Sequence, residues 1–204
     1  SIPRGLPKGQ ATVVFWLSKK DEVGPEPLSI LVAEAYDIGT RTKLDPTLIL
    51  AIMAIESNFN PFAQSAVGAQ GLMQVMTRVH TEKYQNFGGH FAAFDPVSNL
   101  RVGVKVLQEC IARAGSIEGG LRYYVGAANL PDDGGYTAKV MAEHSRLRQV
   151  ANGRSVPVNA PVMLSTQAPA ATPAQAVPAA SRNAGERPSA EADSKVALLG
   201  SVGS

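Results

Sequence analysis

Apolar positions recur along the first three-quarters of the chain with helical rather than alternating spacing. Leu28, Leu31, Val32 and Ala35 follow the 3.6-residue period from Pro27, and Gly39 is expected to stop that helix. Ahead of them, ATVVFWLSKK is an apolar run ending in Lys, followed by the breaker-rich VGPEPL. The next segment is the clearest helix. Asp45 suits the N-cap, Pro46 suits the first helical position, and TLILAIMAIES continues without a breaker. Leu48, Ile49, Leu50, Ile52, Met53 and Ile55 cover every side of it, which predicts a central, buried helix. A second Asp-Pro start, Asp95-Pro96, opens a helix striped by Leu100, Val104, Leu107 and Ile111. Further helices are expected over 117–124 and 135–150. Strand signals are weak and no internal repeat is visible. The pattern predicts an all-α bundle of five to seven helices around one buried helix.

The end of the chain breaks this pattern. All twelve aromatic residues lie between Phe15 and Tyr136, and half of the fifty residues 155–204 are Ala, Pro or Ser. Such a segment has little apolar surface to offset the entropy of ordering its backbone. The expected organisation is therefore a flexible lead over 1–10, a folded domain over 11–154 and a disordered tail over 155–204. A net charge of +2, from 19 basic and 17 acidic residues with no basic block, argues against a nucleic-acid partner. No stretch approaches the roughly 18 apolar residues of a membrane span. One Cys and three scattered His give neither a disulfide framework nor metal-ligand spacing, so no metal or cofactor is expected. Cys110, beside Ile111 on an apolar helix face, reads as a small hydrophobe.

Glu56 is the informative residue, a carboxylate at the end of the run from Thr47 to Ile55 in which only Thr47 is polar. Apolar packing and the negative end of the helix would both raise its pKa, and the nearest cations, Lys43 and Arg78, are far along the chain. A carboxyl held neutral in this way can give a proton and take it back. The alternative is a Glu that reaches solvent or caps a loop, and spacing alone leaves both open.

The residues that follow carry a resemblance. Glu56-Ser57-Asn58-Phe59-Asn60-Pro61-Phe62-Ala63-Gln64-Ser65 leads through Gly68-Ala69-Gln70 into Gly71-Leu72-Met73-Gln74, and Asp95-Pro96 is followed by Asn99-Leu100 and Gly103. This resembles the soluble lytic transglycosylase family, over about residues 40–147. The resemblance implies a goose-type lysozyme-like helical fold and action on peptidoglycan glycan strands. It also implies that Glu56 protonates the bond between N-acetylmuramic acid and N-acetylglucosamine. As carboxylate, Glu56 would then deprotonate the muramoyl 6-hydroxyl, which closes to a 1,6-anhydro end without water or a second protein carboxylate. No Asp or Glu falls between Glu56 and Glu82, and Asp132 and Asp133 read as turn residues.

The resemblance assigns substrate-binding roles to further residues. Ser57 would hydrogen-bond around the Glu or the sugar, Met73 and Gln74 would line the sugar groove, and Gly71 would let the loop approach the substrate. The family's Tyr-Asn-x-Gly is matched in one of two frames, Tyr124 before Val125-Gly126 or a shifted frame that keeps Asn129 and loses the Tyr. Thr77 stands where the family commonly has Pro. A monomer in the periplasm, in the cell envelope or exported is expected, with an envelope protein as a further partner through the tail. No signal peptide is visible in the chain. A muramidase that uses water at the same bond, and a wall-binding or secretion-apparatus protein without activity, are the alternatives.

Overall fold

Seven helices carry the chain in the computed structural model, which describes residues 5–159. They are α1 (Lys8–Lys20), α2 (Pro25–Thr42), α3 (Pro46–Ser57), α4 (Thr81–Tyr84), α5 (Pro96–Ala114), α6 (Ile117–Tyr124) and α7 (Tyr136–Ala151). Two 3-10 turns, Gln85–Phe87 and His90–Phe94, lie between α4 and α5. The strands among the described residues form one antiparallel ribbon of β1 (Ala69–Gln70) and β2 (Val75–Met76), with Ala69 opposite Met76. The all-α expectation holds. The tail beyond 159, expected to be disordered, lies outside the described residues.

The central helix starts as its sequence predicts. Asp45 Oδ1 accepts from the Thr47 amide at 2.9 Å and from its hydroxyl at 2.7 Å, and Pro46 occupies the first turn. Every residue from Leu48 to Met53 is fully buried, between α2 on one side and α7 on the other. A helix that is apolar all round has no solvent face to lose, so it can occupy the middle of the core. It ends where Asn58 turns left-handed (φ 51°), its N–H returning to Ala54 O. Phe59 is left-handed as well (φ 60°). That conformation costs a non-glycine residue about 1–2 kcal/mol, and the burial of the Phe59 ring to 3% exposure offsets it. α5 begins the same way as α3, with Ser98 N–H donating to Asp95 Oδ1 at 2.8 Å, and buries Leu100, Val104 and Leu107.

Three boundaries differ from the sequence reading, each for a packing reason. Helix α1 begins at Lys8, within the segment expected to be a flexible lead. Val13, Val14, Trp16 and Leu17 bury one face of it against α2 and α7. A Cβ at Gly9 would lie 3.0 Å from Ala151 O, so the glycine lets α1 lie against the end of α7. Helix α2 begins at Pro25 and passes through Gly39 to Thr42, stopping at left-handed Lys43. A side chain at Gly39 would sit 2.7 Å from Leu44 O, so that glycine serves the close approach of the α2–α3 connection and does not end the helix. Finally, packing continues past 154, because Val156 and Val158 rest on the core and Trp16 Nε1 donates to Val156 O at 2.8 Å.

Asp45 links this architecture to pH. Burial works to raise its pKa, but hydrogen bonds from Thr47 and His144 outweigh that and hold it below its ordinary 3.8. A depressed carboxylate contributes stability that is complete above its ordinary value and lost as pH falls through the folded-state value. Asn caps helices about as well as Asp does. Asp45→Asn is therefore expected to keep α3 intact but to flatten the fall in thermal midpoint below about pH 4, read by circular dichroism melts from pH 6 to 2.5. Parallel midpoint curves for parent and variant would refute this assignment.

Candidate active site

Glu56 is the penultimate residue of α3 and half-buried, at the point where the apolar helix reaches the surface. Tyr136 donates its hydroxyl to Glu56 Oε1 at 2.8 Å. Tyr136 itself is 1% exposed and opens α7, directly after left-handed Gly134 and Gly135. That turn is tied by carboxylates. Asp132 Oδ1 accepts from Gly134 N–H, and Asp133 accepts from the Gly135 and Thr137 amides at 3.0 Å each. Burial works to raise the Asp133 pKa, but these bonds outweigh it and hold the group below the usual carboxylate value. Both aspartates are thus occupied in starting α7, the turn role expected for them.

A second phenol lies close by. Tyr124, the last residue of α6, is fully buried and donates to Met73 O at 2.7 Å. Burial first, and then the negative charge of Glu56, push the phenols of Tyr124 and Tyr136 well above their ordinary value. At any working pH both are neutral donors beside the carboxyl. Of the two frames in the sequence, the first carries Tyr124, which is buried within reach of the Glu56 charge, while Asn129 lies in an exposed turn. The backbone of that turn is held by Arg122, whose guanidinium donates to Ala127 O and Leu130 O.

The residues after α3 form a wall held by side chain to main chain bonds. Ser57 Oγ hydrogen-bonds to Leu72 O at 2.7 Å and to Met53 O at 3.2 Å, which ties the ribbon to the end of α3. Met73 is fully buried, and its side chain packs so closely on α5 that a Cβ at Gly103 would lie 2.5 Å from its sulfur. What Met73 offers its surroundings is backbone, the carbonyl to Tyr124 and the N–H to Asn99 Oδ1 at 2.7 Å. Gln74 is 8% exposed with φ 47°, and its amide donates to Ala63 O and Gly71 O at 3.0 Å. The resemblance assigns Ser57, Met73 and Gln74 to sugar contacts. In this structure their polar groups and the Met73 side chain instead shape the loop. Gly71 has φ 77°, and a Cβ there would lie 2.6 Å from Asn99 Cγ and closer still to Ala93 O.

Two residues were missed as site residues. Asn99 is fully buried and acts as a hub. Its Nδ2 lies 2.9 Å from Gln70 O and Ala93 O and 3.0 Å from Tyr84 Oη, while Oδ1 takes the Met73 amide. Its signal was a polar residue next to Leu100 at the start of a buried stripe. Tyr136 gave weaker notice, as an aromatic residue after a Gly-Gly pair. Thr77, found where the resemblance expects Pro, donates its hydroxyl to Gln70 Oε1 at 2.7 Å and so crosses the ribbon. Phe62 stands 71% open on the loop after α3, whereas Tyr123 is half-buried and stacked under Arg113 at 4.9 Å. Among the described residues no group of three or more His, Cys, Asp or Glu could hold a metal ion. The centre is thus one carboxyl at a helix end, near two buried phenols and a loop tied down by hydrogen bonds.

Comparison with known proteins matches residues 33–142 to the model of the transglycosylase SLT domain. The chain is 32% identical over 118 residues to a transglycosylase of Enterobacteria phage PRD1, an overlap covering 58% of this chain and 43% of that protein. It is 29% identical over 136 residues to the type IV secretion system protein virB1 of Brucella abortus biovar 1 (strain 9-941), covering 48% of this chain and 57% of that one. It is 40% identical over 70 residues to the membrane-bound lytic murein transglycosylase C of Photorhabdus laumondii, covering 31% of this chain and 20% of that protein. The chain therefore spans about half, or less, of the length of these relatives.

Proposed function

The chain belongs to the transglycosylase SLT domain family, and on that premise we propose that it is a peptidoglycan lytic transglycosylase with Glu56 as its acid and base. The observation that carries this reading is the 2.8 Å hydrogen bond from buried Tyr136 to Glu56 Oε1, inside the matched residues and at the end of an apolar helix. Glu56 gives its proton to the glycosidic oxygen as the bond from the muramoyl anomeric carbon breaks. The resulting carboxylate then takes the proton of the muramoyl 6-hydroxyl, whose oxygen closes onto the anomeric carbon. Glu56 is thereby returned to its starting state, and no water is consumed. Glycosidases that use two carboxylates need a second acid on the other side of the sugar. Here the nearby groups with assigned partners are phenols, and Asp132 and Asp133 are committed to the α7 turn.

Tyr136 orients the carboxyl from a fixed position, because its ring is buried and its backbone begins a helix. Tyr124 acts one step away by holding the Met73 carbonyl, and with it the loop that follows Gly71. Ser57, Gly71, Met73 and Gln74 serve substrate binding by giving that loop its shape. Peptidoglycan lies outside the cytoplasmic membrane, so the site of action is the periplasm, the envelope or the exterior. No helix among the described residues is long and apolar enough to cross a membrane. The likeness to a protein named for type IV secretion supports a setting beside an envelope apparatus, with residues 160–204 as the segment that meets it.

The test is the product. Purified peptidoglycan digested by the full chain and analysed by mass spectrometry is expected to yield muropeptides with 1,6-anhydromuramic acid ends. Ends heavier by one water would make the protein a muramidase instead, and no release of muropeptides would overturn the catalytic reading altogether.

A further inference from the structure

Away from Glu56, a recess of about 330 Å³ runs along α7, lined among others by His144, Ser145, Arg148, Gln149, Asn152 and Arg154. It lies at the opposite end of the α3–α7 pair. The two helices are antiparallel, since Tyr136 at the start of α7 meets the end of α3 and His144 meets Asp45 just before α3 begins. At about 1.5 Å of rise per residue, the recess is about 16 Å from Glu56 along the helix.

The recess is cationic. His144 is 8% exposed, with Nε2 3.1 Å from Asp45 Oδ2. Arg148 reaches the same carboxylate only loosely, Nε to Oδ2 at 3.7 Å, and its side chain is 62% exposed. Arg154 is exposed and forms no ion pair with any described residue. Asp45 is meanwhile committed to capping α3 through Thr47. Of the two guanidinium groups only Arg148 reaches a carboxylate, and that carboxylate is already occupied, beside the amides of Gln149 and Asn152. Guanidinium forks match carboxylates in two-point geometry, and side-chain amides pair with peptide groups.

We propose that this recess binds a free carboxylate of the peptide stem carried by the muramic acid sugars, an inference that rests on peptidoglycan being the substrate. The reach agrees, because four or five extended residues span about 13–18 Å. So does the path. Asn152, Arg148, Ser145 and Met141 follow one another at three- and four-residue steps, a single stripe that leads back along α7 to Thr137 beside Tyr136. A stem leaving a sugar at Glu56 can therefore lie along one face of α7, with its carboxylate at the arginines.

The probe is the free tetrapeptide L-Ala-γ-D-Glu-meso-diaminopimelyl-D-Ala, titrated into the full chain while the His144 ring resonances are followed by NMR. A saturable shift is expected, weakened at least tenfold in the double variant Arg148→Gln, Arg154→Gln, with inorganic phosphate at equal concentration leaving the resonances in place. Arg148 lies in the last turn of α7, where a cation also complements the helix end. The single variant Arg154→Gln, beyond that helix, is therefore expected to weaken binding at least threefold with no change in thermal midpoint. No saturable shift in the parent, equal binding by the double variant, or an equal response to phosphate overturns the proposal. Binding of the tetrapeptide does not use Glu56, so the two readings fail separately. A chain that binds the tetrapeptide but releases no muropeptides supports this site and sinks the proposed activity, while cleavage without tetrapeptide binding sinks this site alone.

Discussion

Glu56→Gln is expected to lower the rate of muropeptide release by on the order of 10³-fold while leaving the fold intact, since a positioned general acid–base contributes about 10²–10⁴-fold. Gln keeps the shape of Glu and can still accept from Tyr136, but it has no proton to give at the bond-breaking step. The helix tolerates the change because Glu56 is half-buried at its end and outside the fully buried stretch from Leu48 to Met53. Thermal midpoints of parent and variant should therefore agree, which separates lost chemistry from lost structure. Tyr136→Phe supplies the graded comparison. It removes one hydrogen bond to a charged group, worth about 1.5–3 kcal/mol, so a fall of about 10- to 150-fold in rate is expected with the same products. If the Gln variant digested cell walls as fast as the parent, Glu56 would not be the catalyst.

The second large effect concerns the loop. Gly71→Ala is expected to destabilise the protein by about 3 kcal/mol or more and to disable cleavage with it. Left-handed φ at an Ala costs about 1–2 kcal/mol. The new methyl would also overlap the Ala93 carbonyl and the Asn99 amide, neither of which is the end of a flexible side chain. Asn99 cannot yield without breaking contacts to half-buried Gln70 and to Ala93, Tyr84 and Met73 in the core. At this chain length such a loss lowers the thermal midpoint by about 6–12 °C. Gly68→Ala is the control, since Gly68 is also left-handed (φ 89°) but nothing lies within 4 Å of an added Cβ. It should cost only the backbone strain, about 1–2 kcal/mol, and leave cleavage largely as it was. Equal midpoints for the two variants would refute a packing cost at Gly71.

These expectations divide along the line between local and non-local information. Asp45-Pro46 and Asp95-Pro96 announce two helix starts because a cap and its amide are neighbours in sequence. The continuous apolar surface from Leu48 to Ile55 requires burial on every side wherever the rest of the chain lies. The run from Glu56 to Gln74 carries the family resemblance, because the loop is built in good part from bonds within it, such as those of Ser57 with Leu72 and Gln74 with Ala63.

What depended on distant partners was not legible. Gly39 reads as a helix stop and Gly9 as part of a flexible lead, and only the nearness of the α2–α3 connection and of Ala151 shows them as points of close approach. Met73 and Gln74 looked like groove residues, yet α5 buries one and the loop's own carbonyls occupy the other. Tyr136 stands eighty residues from Glu56 and meets it only because α7 packs antiparallel to α3. By itself the sequence determined an all-helical core, the place of the carboxyl and the family to which it belongs. Tertiary packing alone decided which phenols surround that carboxyl and which loop atoms remain for a substrate. Propensity, capping and periodicity act over a few residues, whereas the hydrogen bond between α3 and α7 exists only where the fold packs those two helices together.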